Sequence, residues 1–115
     1  MSEEREQRYL GYIPESIELI DQWSAAGRDA FLTDELVQNA TLYRLESLSD
    51  STGKLSAGLQ ERHPQLPWRD VTNFRNRVAH GYLALDLDLF WRVIAVDLPA
   101  LKQIVYQELD RSAST

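Results

Sequence analysis

The sequence predicts an all-α fold, an antiparallel four-helix bundle with a short third helix and a Pro-kinked or broken last helix. Three observations carry this. Gly and Pro number only five and four of 115 residues, a balance that favours helix over loop-rich β architecture. Apolar residues recur every three or four positions over long stretches, the signature of one buried helical face. No segment reads as an alternating strand pair, and no internal repeat divides the chain. The length suits one core and is too short for two. A single domain is therefore expected over 1–115, with its core over about 9–109 and frayed ends at 1–4 and 111–115.

The first helix is expected from Glu3 to Ala26, striped by Tyr9, Ile13, Ile17, Ile20 and Trp23. Pro14 lies inside it, and an internal Pro costs about 3 kcal/mol, so the pattern predicts a kink there or a start near Ile13. Gly27 is placed to close the helix. The second helix is expected from Thr33 to Leu59, with Thr33 as N-cap and Asp34 and Glu35 in the first turn, where the helix dipole favours acids. Leu36, Ala40, Tyr43, Leu48 and Leu55 carry its stripe, Gly53 and Gly58 weaken its far end, and Pro64 and Pro67 mark a loop. The third helix is short, Trp68 to Gly81. The fourth begins near Asp86 or Asp88, either of which could cap it, and carries Leu87, Trp91, Ile94, Leu98, Leu101, Val105 and Leu109. Pro99 interrupts that pattern, predicting a kink or a break near Asp97.

Composition excludes several functions. With no Cys there are no disulfides, thiolate metal sites or Cys nucleophiles. Met1-Ser2-Glu3-Glu4 is acidic and does not open a secretory signal, and no apolar run approaches the roughly 20 residues of a membrane span; a cytoplasmic protein without a membrane partner is expected. Eighteen acids against twelve bases leave a net charge of −6, which counts against indiscriminate nucleic-acid binding. Charge is uneven, however: from Arg62 to His80 there are four Arg and two His against one acid, Asp70. Contact with nucleic acid, if made, is made through that segment.

Within it, Arg75, Asn76 and His80 form the constellation with chemistry. On a helix, Asn76 and His80 are i and i+4 and share a face. Arg75 sits about 140° round from His80, within reach through its long stem. A fixed cation, an amide and a titratable imidazole can then meet one phosphate. RNA cleavage by the neighbouring 2′-hydroxyl needs little more and uses no metal or cofactor. Imidazole titrates at about 6.5 and carries protons, and guanidinium neutralises phosphate oxygens. The motif supplies one proton carrier where acid–base cleavage uses two; a two-fold dimer would bring two His80 into one cleft. The bland alternative makes His80 a helix-end residue and Arg75 and Arg77 solvated charges.

The run Arg75-Asn76-Arg77-Val78-Ala79-His80-Gly81-Tyr82, with Pro64-Gln65-Leu66-Pro67-Trp68 before it and Asp86 to Trp91 and Asp97-Leu98-Pro99-Ala100-Leu101 after it, resembles the HepT-like toxins of the HEPN ribonuclease superfamily. The likeness extends from about Tyr9 to Leu109. It implies an all-α homodimer with the active cleft at its interface, and a metal-independent endoribonuclease with Arg75 and His80 essential and Asn76 assisting. It implies a toxin–antitoxin pair, type II-like or controlled by AMPylation, in which a minimal nucleotidyltransferase antitoxin modifies Tyr82 with AMP. One departure stands out: where the family has Gly-Glu-Ala, this chain has Ser49-Asp50-Ser51.

Other residues divide between sharp and bland readings. Tyr82 could instead close the core edge with its hydroxyl in water. Arg77 and Arg69 could grip RNA phosphates or simply be solvated. His63, in a Pro-flanked loop, is expected to be exposed, yet it is the only rival second proton carrier. Trp23, Trp68 and Trp91 are expected to pack. Partners expected are RNA, a second copy and the nucleotidyltransferase, with no DNA. The reading from another class is a non-catalytic helical dimer that binds a nucleotidyltransferase without cutting RNA.

Overall fold

The computed structural model describes residues 3–80 and 84–113, apart from the side chains of Glu3 and His80. In order the elements are α1 (Glu3–Trp23), α2 (Arg28–Thr33), α3 (Glu35–Gly53), α4 (Ala57–Arg62), α5 (Trp68–Val71), α6 (Phe74–Val78), β1 (Ala79–His80), β2 (Ala84–Leu85), α7 (Leu87–Arg92), a π-helical turn (Val93–Asp97) and α8 (Leu98–Ala113). The all-α class holds. The expected arms are α1, α3, the short α5–α6 pair and the run from α7 to α8. Among the described residues no helix is long and apolar enough to cross a membrane.

α1 is the central arm, packed on both α3 and α8. It runs through Pro14 instead of starting at Ile13. Leu10, Ile13, Ile17 and Ile20 on both sides of that Pro are almost wholly buried. At about 1.5–3 kcal/mol per buried aliphatic side chain, their combined gain exceeds the cost of one proline. The neighbours run antiparallel to α1. Gln7 donates to Ser112 at 2.7 Å while Tyr106 donates to Glu18 at 2.6 Å, so α8 descends as α1 rises. On the other flank Lys54 lies 5.9 Å from the Tyr9 ring centre and Tyr12 meets Ser47 at 2.7 Å.

Gly27 does not close α1 directly. It adopts φ 101° and precedes α2, a helix with no counterpart among the expected elements. α2 places Phe31 edge-on to Phe90 at 5.0 Å and near Trp91 at 5.6 Å, which joins it to α7. α3 starts one residue later than expected: Asp34, not Thr33, is the cap, accepting from the Val37 amide at 3.1 Å. The expected second helix also stops at Gly53, and Ser56 caps a separate α4 by accepting from Leu59 at 3.2 Å.

The stripe expected for the second helix divides: Leu48 and Leu55 are buried in the core, but its first half lies outside. Leu36 is 79% and Tyr43 73% exposed, whereas Gln38, Thr41, Leu45, Leu48 and Thr52 turn inward. Hydrogen bonds make that tolerable at two of the polar positions: Gln38 donates to the Phe31 carbonyl and Thr52 to Leu48, each at 2.8 Å. The last arm obeys its pattern, and Ile94, Leu98, Leu101 and Val105 are buried. Its expected break is a π-helical turn ending at Asp97. Widening the helix there accommodates Pro99, which cannot donate its own bond and crowds the carbonyl four residues back.

His63 is the clearest correction. It is 8% exposed, not solvated, because Glu108 on α8 is taken into the bundle and needs partners. Arg62 grips that carboxylate with Nε at 3.2 Å and Nη2 at 2.7 Å, and His63 Nε2 meets it at 2.6 Å. The Arg62 hydrogen bond, opposed by burial and aided by His63, holds the Glu108 carboxyl below the usual carboxylate range. The group is ionised at neutral pH, so His63 Nε2 carries the donated hydrogen. Trp68 Nε1 then donates to the His63 carbonyl at 2.9 Å, tying the start of α5 to this clamp.

A carboxyl with a depressed native pKa stabilises the fold above its unfolded value and loses that contribution as pH falls through the native one. Glu108→Gln should therefore cost about 1–3 kcal/mol at pH 7 and flatten the acid limb of stability below about pH 4. Urea unfolding across pH checks it; an acid limb identical to the parent's would remove Glu108 from the account.

Candidate active site

α6 is anchored by Phe74 and Val78, both fully buried and four residues apart on one face. Successive residues turn about 100°, so this anchoring sends Arg75 and Asn76 away from the core and Arg77 round to the opposite flank. The motif is not on one continuous helix. The chain from Trp68 to Val78 is two short helices separated by Thr72 and Asn73, and the second ends at Val78 instead of Gly81. Ala79 is extended, with φ −117° and ψ 112°, and Ala79 and His80 pair antiparallel with Leu85 and Ala84.

The early stop has a hydrogen-bonding cause. A helix end leaves carbonyls without partners, and the Asp86 amide takes the Val78 carbonyl at 2.8 Å. The same Asp86 turns its carboxylate to the Leu89 amide at 3.1 Å and caps α7, which decides between the two expected caps. His80 is thus not i+4 to Asn76 on a helix face; its backbone enters an extended segment two residues past the helix. The proposed modification target Tyr82 lies outside the described residues, as does the His80 side chain.

Arg75 and Asn76 open onto a groove of about 220 Å³, whose other wall is Glu46, Ser49 and Asp50 of α3. Thr72 and Asn73 complete it, and Asn76 donates to the Asn73 side chain at 2.8 Å. Arg75 makes no ion pair among the described residues. Asp50 meets Lys54 at 3.1 Å. The departure at Ser49-Asp50-Ser51 therefore borders the motif directly, an acid facing a guanidinium across the groove.

Arg77 lies elsewhere, in a groove of about 210 Å³ with Asp70, Arg92 and Asp97. Burial pushes the Asp97 carboxyl up, while the nearby charges of Arg77 and Arg92 pull it back. Arg77 thus shares its groove with a half-buried acid. Arg69 is exposed and lines neither groove. His63, clamped to Glu108, does not line the motif groove either. Among the described residues no group of His, Asp and Glu has the makings of a metal site.

A model of the family described as "Ribonuclease HepT-like" matches residues 13–108. The chain belongs to the HepT-like ribonuclease family. Ribonuclease, the class of enzyme expected from the motif, is the class of this family. A Methanocaldococcus jannaschii protein named "Gamma-glutamylcyclotransferase and putative RNase" is 32% identical over 108 residues, 90% of this chain but 49% of that protein. The "Probable ribonuclease HepT" of Thermococcus cleftensis is 30% identical over 95 residues, 82% of this chain and 86% of that one. The chain therefore spans about half of the first relative and most of the second. No solved structure matches.

What sequence reading missed was the second wall of the groove. Glu46 and Asp50 are i and i+4, a spacing visible in the sequence, but only the packing of α6 on α3 makes them neighbours of Arg75.

Proposed function

We propose that this HepT-like chain is a metal-independent endoribonuclease toxin acting as a homodimer and restrained by a nucleotidyltransferase antitoxin. The observation that carries it is Arg75: in a chain with six surplus negative charges, its guanidinium has no ion pair among the described residues and opens onto a groove it shares with Asn76. In the proposed reaction the 2′-hydroxyl loses its proton to a base and its oxygen attacks the adjacent phosphorus. The bond to the 5′-oxygen breaks, that oxygen takes a proton from an acid, and a cyclic phosphate remains. His80 supplies one proton carrier and His80 of a second copy the other, while Arg75 neutralises the phosphoryl oxygens. Asn76 orients the phosphate.

Arg75→Ala/His80→Ala should lose roughly 10²–10³-fold or more in RNA cleavage and should abolish growth arrest on induction in a bacterial host. Normal growth and intact RNA with the parent at equal soluble expression would favour the second reading, a non-catalytic helical dimer that binds a nucleotidyltransferase. That reading draws on Glu46 and Asp50, whose carboxylates repel a phosphodiester lying in the groove.

The exposed stripe of α3 supports the dimer. Leu36, Ala40 and Tyr43 recur at spacings of four and three, as in the seam of paired helices, and Asp50, two turns beyond Tyr43, lines the motif groove. A second copy on this face would cover Leu36 and Tyr43 and bring its own motif alongside. Sedimentation should give the parent twice the 13.3 kDa chain mass and Leu36→Glu/Tyr43→Glu the single mass; a double variant that stays dimeric rules out this face.

AMP on Tyr82 would set a bulky anion two residues from His80, blocking the cleft and repelling RNA. Co-expression with an AMP-transferring nucleotidyltransferase should add mass to the parent and none to Tyr82→Phe. Equal gain on both would move the modification elsewhere.

A further inference from the structure

Glu46 and Asp50 stand one turn apart on α3 and face Arg75 and Asn76 across a groove of about 220 Å³, smaller than a drug-sized ligand needs. Two carboxylates on the α3 wall repel a phosphodiester lying against it, so the part of an RNA suited to that wall is uncharged: a single base turned out of the strand. Ser49 adds an independent sign of a ligand. It is 6% exposed, it lines the groove, and its hydroxyl has no hydrogen-bond partner among the described residues, a cost of about 1–3 kcal/mol that a ligand would relieve.

The hydrogen-bonding pattern selects the base. Carboxylates only accept. Asp50 is engaged by Lys54, whereas Glu46 makes no hydrogen bond or ion pair among the described residues. On α6, the bond from Asn76 Nδ2 to Asn73 Oδ1 leaves the Asn73 amide nitrogen and the Arg75 guanidinium as donors. The carboxylates of the α3 wall thus accept, and the α6 wall carries the nitrogen donors. Guanine alone has two adjacent N–H donors, N1 and N2, next to a carbonyl acceptor, O6, on its pairing edge. Adenine and cytosine set one amine beside a bare ring nitrogen, and uracil sets one N–H between two carbonyls; a carboxylate repels those flanking lone pairs.

Resting on the ribonuclease reading above, we propose that this groove is a guanine-recognition subsite beside the scissile phosphate, with Glu46 accepting from N1–H and N2–H, the Asn73 amide donating to O6 and Arg75 left to the phosphate. Glu46 is then a specificity-determining residue, and the acid on the α3 wall reads a base instead of opposing the substrate.

The test separates binding from cutting. A single-stranded RNA dodecamer bearing 2′-O-methyl groups throughout cannot be cleaved; one version carries a single guanosine, the other inosine, which lacks only the 2-amino group. Fluorescence anisotropy with the parent chain should show inosine RNA binding about tenfold or more weaker, and Glu46→Gln should bind the two alike. Equal binding by the parent, or discrimination unchanged in Glu46→Gln, overturns the proposal. In parallel, unmodified RNA of mixed sequence should be cut next to guanosines. Cleavage without base preference overturns the guanine subsite and leaves the ribonuclease reading intact, while guanosine-dependent binding with no cleavage overturns the ribonuclease reading alone.

Discussion

The buried carboxylate of Glu108 is the constraint on which the placement of the motif depends. It is the one acid among the described residues that the bundle takes in, and an ionised group in that position is tolerable only with strong partners. Arg62 and His63 supply them from the end of α4. Since Trp68 hangs from the His63 carbonyl, the loop through Pro64 and Pro67 is held at both ends, and α5 begins at a determined place. From there the buried Val71, Phe74 and Val78 seat the short helices on the core. The groove-facing side of α6 is thus oriented by a charge cluster on the far side of the loop that has no part in the proposed chemistry.

The long helices were legible because their burial follows their apolar period. Ile13, Ile17 and Ile20 in α1 and Leu98, Leu101 and Val105 in α8 are inside, as a stripe of that spacing requires. α3 breaks the rule for a physical reason. A stripe says that a face is to be covered and not by what. Here the inner face is kept by Leu45 and Leu48 with polar neighbours whose hydrogen bonds close locally through Gln38 and Thr52. The more apolar Leu36 and Tyr43 are left exposed. Hydropathy alone ranks the two faces in the wrong order, because it cannot count hydrogen bonds formed with the chain's own carbonyls.

The site was legible as a set of residues and not as a geometry. Arg75, Asn76 and Asn73 can be read as neighbours within one turn. The reading of Asn76 and His80 as helical partners fails because the helix ends at Val78, and that ending is decided from outside it. The Asp86 amide satisfies the Val78 carbonyl, and a two-residue antiparallel pairing takes over from the helical ladder. Both competitors come from residues six to eight positions downstream of Val78 and nearby, where local propensity at Ala79 and His80 carries no sign of them. His63 was misjudged in the same way: a Pro-flanked loop is usually exposed, and only the burial of Glu108, forty-five residues on, draws this one in.

The arrangement also bears on how an acidic chain could face a polyanion, as the proposed function requires. Its negative charge is a matter of totals, whereas steering and binding respond to the local field. The stretch from Arg62 to His80 holds most of the exceptions, but they are not equivalent. Arg62 is spent on Glu108, whereas Arg77 lies in a separate groove with Asp70, Arg92 and Asp97. Arg75 is what remains on the groove, one positive group among two carboxylates. A single unscreened guanidinium holds one phosphate and not a backbone, which makes non-specific affinity weak. Binding energy must then come from contacts to something other than phosphate, and in this groove the groups left unsatisfied are hydrogen-bonding ones, the Ser49 hydroxyl and the Glu46 carboxylate.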